Sequence, residues 1–385
     1  MDESLGKSQV LPYINLIEEF ANVHLISYEK KKLSESEVSK IFSYFNSNKV
    51  KWSNRTYHKS PRLLATIFDI LTMLYLLILD RKKGKLHYIH CRGYVTTIAA
   101  FIYSFFFRRV RYTFDMRAFW PDEMVSAKTL KKTSLLYFLL KKTEIILINH
   151  SHCTIVLTKA AQKYLSSKFE IKNKIIYTIP TCVNHNKFSE LTGKSGINSS
   201  ESITIGTFGT ISSGWFLLKE FANFLNLMKS ISPDLNIRIV SQDNPKEMLS
   251  NLSNYGVENK DIQFFSAKSE EMPKEILKFD IIVMFFTANF SKLGSAPTRF
   301  GEALAMGIPC VVNSGVGDLK DIILENNVGV VISDFSKGSL LKGCSDILNL
   351  LDDETLKSRC IETSHKYFSL NVAEKYYKKI YGNTS

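Results

Sequence analysis

Hydrophobic and polar positions change period repeatedly along the chain, and each change marks an element. Short apolar runs, as in buried strands, give way to stretches where apolar positions return every three or four residues, as on one helix face. In the first half this spacing predicts helices over 8–22 and 34–46, with a strand over 23–28 between them. A helix over 62–81, a strand over 86–91, a helix over 94–107 and a strand over 110–114 come next. Two helices between 122 and 150, a strand over 154–158, a helix over 159–169 and a strand over 174–179 follow, and Pro180 stops the run. From residue 203 the alternation restarts with a strand over 203–208, a glycine turn, a helix over 216–230 and a strand over 237–241. Strands over 262–265, 281–286 and 310–313 alternate with helical segments, and 337–352, 354–368 and 371–381 make a helical C-terminus. Such alternation predicts an α/β protein with parallel sheets.

The stretch 190–202 is rich in Gly, Ser and Thr and reads as a linker. The expected organisation is two Rossmann-like domains, 1–190 and 200–370, with a helix over 371–385 returning toward the first. A length of 385 residues accommodates that arrangement. The most apolar run, 63–79, carries Asp69 near its middle. A membrane span wants about 20 predominantly apolar residues, so a buried or interfacial helix is expected instead. The polar start, Met1-Asp-Glu-Ser-Leu-Gly6, predicts no secretory signal. Six scattered cysteines form no C-x-x-C pair, which argues against a zinc site or a disulfide framework and fits a reducing compartment. His150 and His152 read as a helix end entering a strand, and no residue is expected to hold a metal.

Charge is the uneven property. The chain has 50 Lys+Arg against 37 Asp+Glu, formally +13. Residues 1–190 hold 30 basic and 15 acidic residues, and residues 191–385 hold 20 and 22, so the halves stand at +15 and −2. The first half is therefore expected to face something anionic: nucleic acid, a membrane or a phosphorylated substrate.

Candidate chemistry concentrates in Gly294-Ser-Ala-Pro-Thr-Arg-Phe-Gly-Glu302. The segment predicts a loop at a strand end that opens into a helix near Pro297. A helix start presents free N–H groups and a positive dipole end to anions, and Arg299 adds planar donors suited to phosphate. Thr298 and Glu302, at i and i+4, share a helix face. A carboxylate one turn past a phosphate site suits ribose hydroxyls, which together describes a nucleotide-diphosphate binder; the plainer reading is a capped helix with a surface Arg–Glu pair. Gly206-Thr-Phe-Gly-Thr-Ile-Ser-Ser-Gly214 is a second turn whose glycines let backbone approach a ligand, but it is not G-x-G-x-x-G and gives little support to an NAD site. Asp318 opens a third turn, equally well a helix cap or a ligand contact. In the first half, Asp115, Arg117, Trp120 and Glu123 stand just past one strand end, and His90 and Arg92 end the neighbouring strand. Acid, base and aromatic groups converging there suit substrate handling, or else form a loop salt-bridge network.

Taken in order, these segments resemble the GT-B glycosyltransferases of family 4, particularly bacterial members that build surface polysaccharides. Ile179-Pro-Thr-Cys-Val-Asn-His-Asn-Lys-Phe188 is similar to a segment ending the family's first domain, with Asn184 for the usual aspartate. Phe114-Asp-Met-Arg-Ala-Phe-Trp-Pro-Asp-Glu123 resembles a "D-x-R-G-x-W-x-x-E" loop, with Ala118 for glycine. Pro297-Thr-Arg-Phe-Gly-Glu302 resembles a "P-T-K-x-x-E" helix start. The resemblance implies two Rossmann-like domains facing each other across a cleft and a retaining, metal-independent hexosyltransferase. No cofactor is implied, the nucleotide-diphosphate sugar being a substrate.

By position, the resemblance gives the ribose to Glu302 and the diphosphate to Arg299, Thr298, Ser295, Pro297 and the Gly209–Thr210 turn. Gly6 is to line the cleft from the first domain. Asp115 is the first choice for touching the transferred sugar or the acceptor, supported by His90 and Arg117. Three departures from the family stand out. Gly294 takes the place of the first glutamate of E-x7-E, no Arg or Lys occurs over 210–215, and no strand is evident before Gly6. An upstream extension carrying an apolar strand is the expectation drawn from the last.

The acceptor implied is a saccharide, lipid-linked in the membrane setting. That places the enzyme in the cytoplasm, peripheral at the inner face of the plasma membrane, with apolar 101–107 and Arg108, Arg109 and Arg111 against an anionic surface. Two alternatives are a GT-B sugar-nucleotide epimerase and a basic nucleic-acid-binding protein. For the latter the sequence offers no recognition helix or RNA-binding signature, so no nucleic-acid partner is expected.

Overall fold

The computed structural model describes residues 4–45, 49–58, 60–84, 86–171, 174–186, 188, 202–268 and 270–382, so the expected linker falls outside them except for Ser202. The chain divides into two compact units, Met1–Pro180 with Leu370–Ser385, and Thr181–Ser369.

The first unit has two parallel sheets. β1 (Val23–Glu29) pairs with β2 (Val50–Thr56). β3 (Tyr88–Arg92), β4 (Arg111–Asp115), β5 (Cys153–Val156) and β6 (Ile176–Thr178) form the other in that order. β2 corrects the sequence reading, which has no strand there. Val50 and Trp52 are its buried positions and the remainder is polar, too little apolar alternation to announce a strand. The predicted helix over 8–22 is two helices, Ser4–Gln9 and Leu11–Ile17, because Pro12 occupies the first turn of the second. Gly6 is buried inside Ser4–Gln9. Helix Glu35–Phe42 starts at a capping box: Glu37 N–H donates to Ser34 Oγ at 3.3 Å and Ser34 N–H to Glu37 Oε2 at 2.8 Å. The last helix, Leu370–Tyr381, packs on Leu11–Ile17, with the Tyr377 ring edge-on to Tyr13 at 5.8 Å.

The second unit is one six-stranded parallel sheet: β7 (Thr204–Phe208), β8 (Asn236–Val240), β9 (Ile262–Phe265), β10 (Ile281–Met284), β11 (Cys310–Asn313) and β12 (Gly329–Ile332). Its order is β12-β11-β10-β7-β8-β9. β10 and β11 are buried at every position, as strands covered by helices on both faces must be. Among the described residues one large apolar cluster runs through this unit, and clusters such as Leu11, Ile41 and Trp52 lie in the first. Strand order reverses between β7 and β10. Ligands of open parallel sheets bind at that reversal, beyond the strands' carboxyl ends.

Candidate functional site

Three segments meet at the reversal. β7 ends at Phe208, and Gly209 turns the chain with φ +84° while its N–H donates to the Val240 carbonyl at 2.8 Å. Asp243 holds the following loop. It accepts the Ile211 and Ser212 N–H groups at 2.6 and 3.1 Å, the Ser212 hydroxyl at 2.6 Å and the Ser241 hydroxyl at 2.8 Å. Burial alone would raise this carboxyl; the bonds from Ser212, Ile211 and Ser241 outweigh it and hold it below the usual aspartate value. Beyond β10, Asn313 clamps Phe286 through both side-chain atoms, at 2.8 and 2.9 Å. The chain then passes through a 3-10 turn, Phe290–Gly294, into helix Thr298–Ala305, with Pro297 at the N-cap.

Arg299, second in that helix, reaches back to the glycine turn. Its Nη2 donates to the Thr210 carbonyl at 3.0 Å, and its guanidinium lies 5.4 Å from the centre of the Phe286 ring. Nη1 is buried and has no hydrogen-bond partner. Burial pulls the Arg299 pKa down to about 10, against the upward pull of Glu302 and Asp243. The group stays cationic at neutral pH, with a donor unspent and little water to screen it. Glu302 stands half-buried one turn along, and Ser295, Pro297 and Thr298 are likewise partly accessible around the helix start. Gly209, Thr210, Arg299 and Glu302 are thus brought to one place.

Two residues here escaped the sequence reading. Asp243 carries no motif, although a polar Ser-Gln-Asp run after a strand is a usable signal. Lys292 is 8% exposed, with its ammonium 3.7 Å from the centre of the Trp215 ring. It brings a cation from the 3-10 turn to the loop over 210–215, which holds no basic residue of its own.

The first unit has its own cluster. In the β3–β4 register Arg92 lies opposite Asp115. Asp115 is fully buried; Arg117 Nη1 is 3.4 Å from Oδ1, while His90 Nε2 and Arg92 Nη1 are 3.4 and 3.5 Å from Oδ2. Burial by itself would raise the carboxyl. Arg117, His90 and Arg92 outweigh it and hold Asp115 well below the usual carboxylate range. His90 Nδ1 pairs with the Tyr381 hydroxyl of the last helix. The structure therefore brings His90, Asp115 and Arg117 together as the sequence suggested, with Asp115 underneath and the three basic groups nearer solvent. Gly6 is not among them. Trp120 opens the next helix, Trp120–Ser126, and packs on Tyr94.

Residues 211–367 match the family model described as glycosyl transferases group 1. No curated protein matches the sequence. Among solved structures the chain is similar to Alr3699/HepE of Anabaena in complex with UDP and glucose, at 13% identity and TM-score 0.64, covering 97% of this chain and 95% of that one. It is also similar to a sucrose-phosphate synthase of Thermosynechococcus elongatus, at 13% identity and TM-score 0.67, covering 96% and 91%. The apo lipopolysaccharide outer core galactosyltransferase WaaB matches at 10% identity and TM-score 0.67, covering 99% and 96%. The fold is GT-B. The segment similar to glycosyl transferases group 1 lies within the second unit, Thr181–Ser369.

Proposed function

We propose that the chain moves a sugar, with retention of configuration, from a nucleotide-diphosphate sugar to a saccharide acceptor, lipid-linked, in polysaccharide assembly. The observation that carries this reading is the partly buried Arg299 at the β7–β10 reversal, with Nη1 buried and unpartnered beside the helix start and the Gly209 turn. A diphosphate completes that hydrogen bonding, and Glu302, one turn on, takes the ribose hydroxyls. The bond from the sugar's anomeric carbon to the diphosphate oxygen breaks, and the acceptor hydroxyl bonds to the same face of that carbon. The hydroxyl's proton leaves with the diphosphate. Arg299, with Lys292 nearby, stabilises the charge on the departing group, the role a metal plays elsewhere, so the reaction in this reading requires none. The likeness to a protein solved with UDP and glucose makes a UDP-hexose the first donor to try.

A cytoplasmic enzyme at the inner membrane face is part of the same proposal. Helix Arg62–Lys82 is long and apolar enough to cross a bilayer. Its inward face, however, holds Asp69 and Asp80, which pair with His58 and His24 of the same unit. Its outward face is a stripe of Leu64, Phe68, Leu71, Tyr75 and Ile78, all exposed. Arg81, Lys82 and Lys83, also exposed, end it. An apolar stripe with a basic end suits a helix lying on an anionic surface. This moves the contact from 101–107 to a larger face, of which Phe105 and Phe106 are the exposed remainder.

Calorimetric titration with UDP-, GDP-, ADP- and CMP-sugars tests the centre of the reading. Binding of one is expected, and binding of none overturns it. Turnover of the donor without any acceptor would instead favour an epimerase.

A further inference from the structure

The cluster at the ends of β3 and β4 holds more positive charge than its own carboxylate can use. Alternation along the strands puts His90 and Arg92 on one face of β3 and Asp115 on the adjoining position of β4, with Arg117 two residues further on. All three basic groups converge on Asp115, yet none comes close: their contacts are 3.4, 3.5 and 3.4 Å. A charge-assisted N–H···O bond at full strength spans about 2.7–2.9 Å. Arg117 Nη2 has a further long contact, 3.5 Å to Gln9 Oε1. Two guanidiniums thus share one fully buried carboxylate and leave most of their donor forks unspent.

The neighbours do not make up the difference. The strongest influences on Arg92 and Arg117 are burial, each other or Asp115, and then the neutral hydroxyls of Tyr13 and Tyr377. Side-chain exposure is 29% at His90 and Arg92 and 17% at Arg117, against 0% at Asp115. The open side of the cluster is therefore cationic, and the anion lies beneath. Partly burying like charges together is unfavourable unless something of opposite sign arrives. Asp115 neutralises one guanidinium and holds both in place, which makes it a positioning residue. The remaining charge calls for one more anion.

We infer that Arg92, Arg117 and His90 form an oxyanion site in the first unit that takes a phosphate or carboxylate group carried by the acceptor. This rests on the glycosyltransferase reading for the word acceptor, but the site itself stands on the geometry of the first unit alone. It also assigns to Arg92 a binding role that the motif carrying Asp115 and Arg117 does not include. A phosphodiester or lipid diphosphate and a uronic-acid carboxylate present the same planar or near-planar pair of oxygens to a guanidinium fork.

The test uses the full chain with Arg299→Gln, which removes the second unit's main phosphate ligand. Inorganic phosphate and glucuronate are each titrated while thermal unfolding is followed. One or both should raise the melting temperature by roughly 2–5 °C near saturation. Adding Arg92→Gln, or separately Arg117→Lys, should remove most of that rise, provided each variant alone melts cooperatively. A response to phosphate alone assigns the site to a phosphorylated acceptor, and to glucuronate alone to an acidic sugar. No response to either anion, or a response unchanged by both substitutions, overturns the inference. UDP-sugar binding by the chain carrying only Arg92→Gln is measured in parallel and should be unchanged. If the donor binds and the anions do not, this inference alone fails; if no donor binds, it is the proposed function that fails.

Discussion

Arg299 donates through Nη2 to the carbonyl oxygen of Thr210 at 3.0 Å, tying the start of one helix to the glycine turn of another strand. That bond aims the guanidinium and leaves Nη1 buried without a partner. Replacing Arg299 by glutamine removes the charge and draws the donor back from the site. Hydrogen bonds to charged groups contribute about 1.5–3 kcal/mol, so affinity for the preferred nucleotide sugar should fall roughly 10- to 150-fold. Calorimetry would show it, with circular dichroism unchanged. An unchanged affinity would remove Arg299 from the site.

Asp243 gives the site a pH dependence that can be signed. Its folded-state pKa is depressed, so its contribution to stability is complete above the unfolded value of about 3.9 and is lost as pH falls through the folded value. Asp115, also depressed, adds to the same acid limb. Asp243→Asn should cost about 1–3 kcal/mol at neutral pH, because an amide nitrogen then faces backbone donors. It should also flatten, without abolishing, the fall in melting temperature below about pH 4. A variant with the full wild-type acid limb would exclude Asp243 from it.

The apolar stripe on helix Arg62–Lys82 predicts flotation with vesicles. Vesicles holding about a third anionic lipid should carry the protein at low salt, and neutral vesicles should carry much less. Exchanging Leu64, Phe68 and Leu71 for serine removes exposed side chains only, so the fold should persist while flotation drops several-fold. Equal flotation of the variant would locate membrane contact elsewhere or nowhere.

Helix Thr298–Ala305 owes its seat to Gly301. A Cβ there would stand 2.9 Å from Val183 Cγ2 and 3.0 Å from Phe368 Cγ, both buried. Gly301→Ala should destabilise the second unit by about 1–3 kcal/mol through overpacking. It should also weaken donor binding by displacing Arg299 and Glu302 together. Chemical denaturation and donor titration of the same sample check both, and an alanine variant of native stability would refute the packing argument.

Legibility in the sequence followed the amount of buried apolar alternation. β10 and β11, buried throughout, are visible as apolar runs, and the helix after Pro297 is visible because proline fixes its opening. β2 is invisible because only Val50 and Trp52 point inward, and the break at Pro12 is easily absorbed into one longer amphipathic helix. The same logic governs the site. Arg299 and Glu302 lie in one contiguous segment with its own spacing, so they can be found together. Lys292 and Asp243 act through contacts with Trp215 and the loop over 210–215, which only the folded chain supplies. Asp115 could be singled out as important, but its place beneath two guanidiniums and the His90 ring depends on β3 and β4 lying side by side.

The first unit is interrupted: its final helix, Leu370–Tyr381, is encoded after the whole of Thr181–Ser369. Tyr377, which packs on Tyr13, and Tyr381, which bonds His90, are therefore made after the whole of the second unit. Residues 4–180 are made before the helix that supplies those contacts, whereas Thr181–Ser369 is one uninterrupted stretch. A stop codon after Ser369 would leave the stretch that forms the second unit whole and remove the helix that brings Tyr377 and Tyr381 to the first.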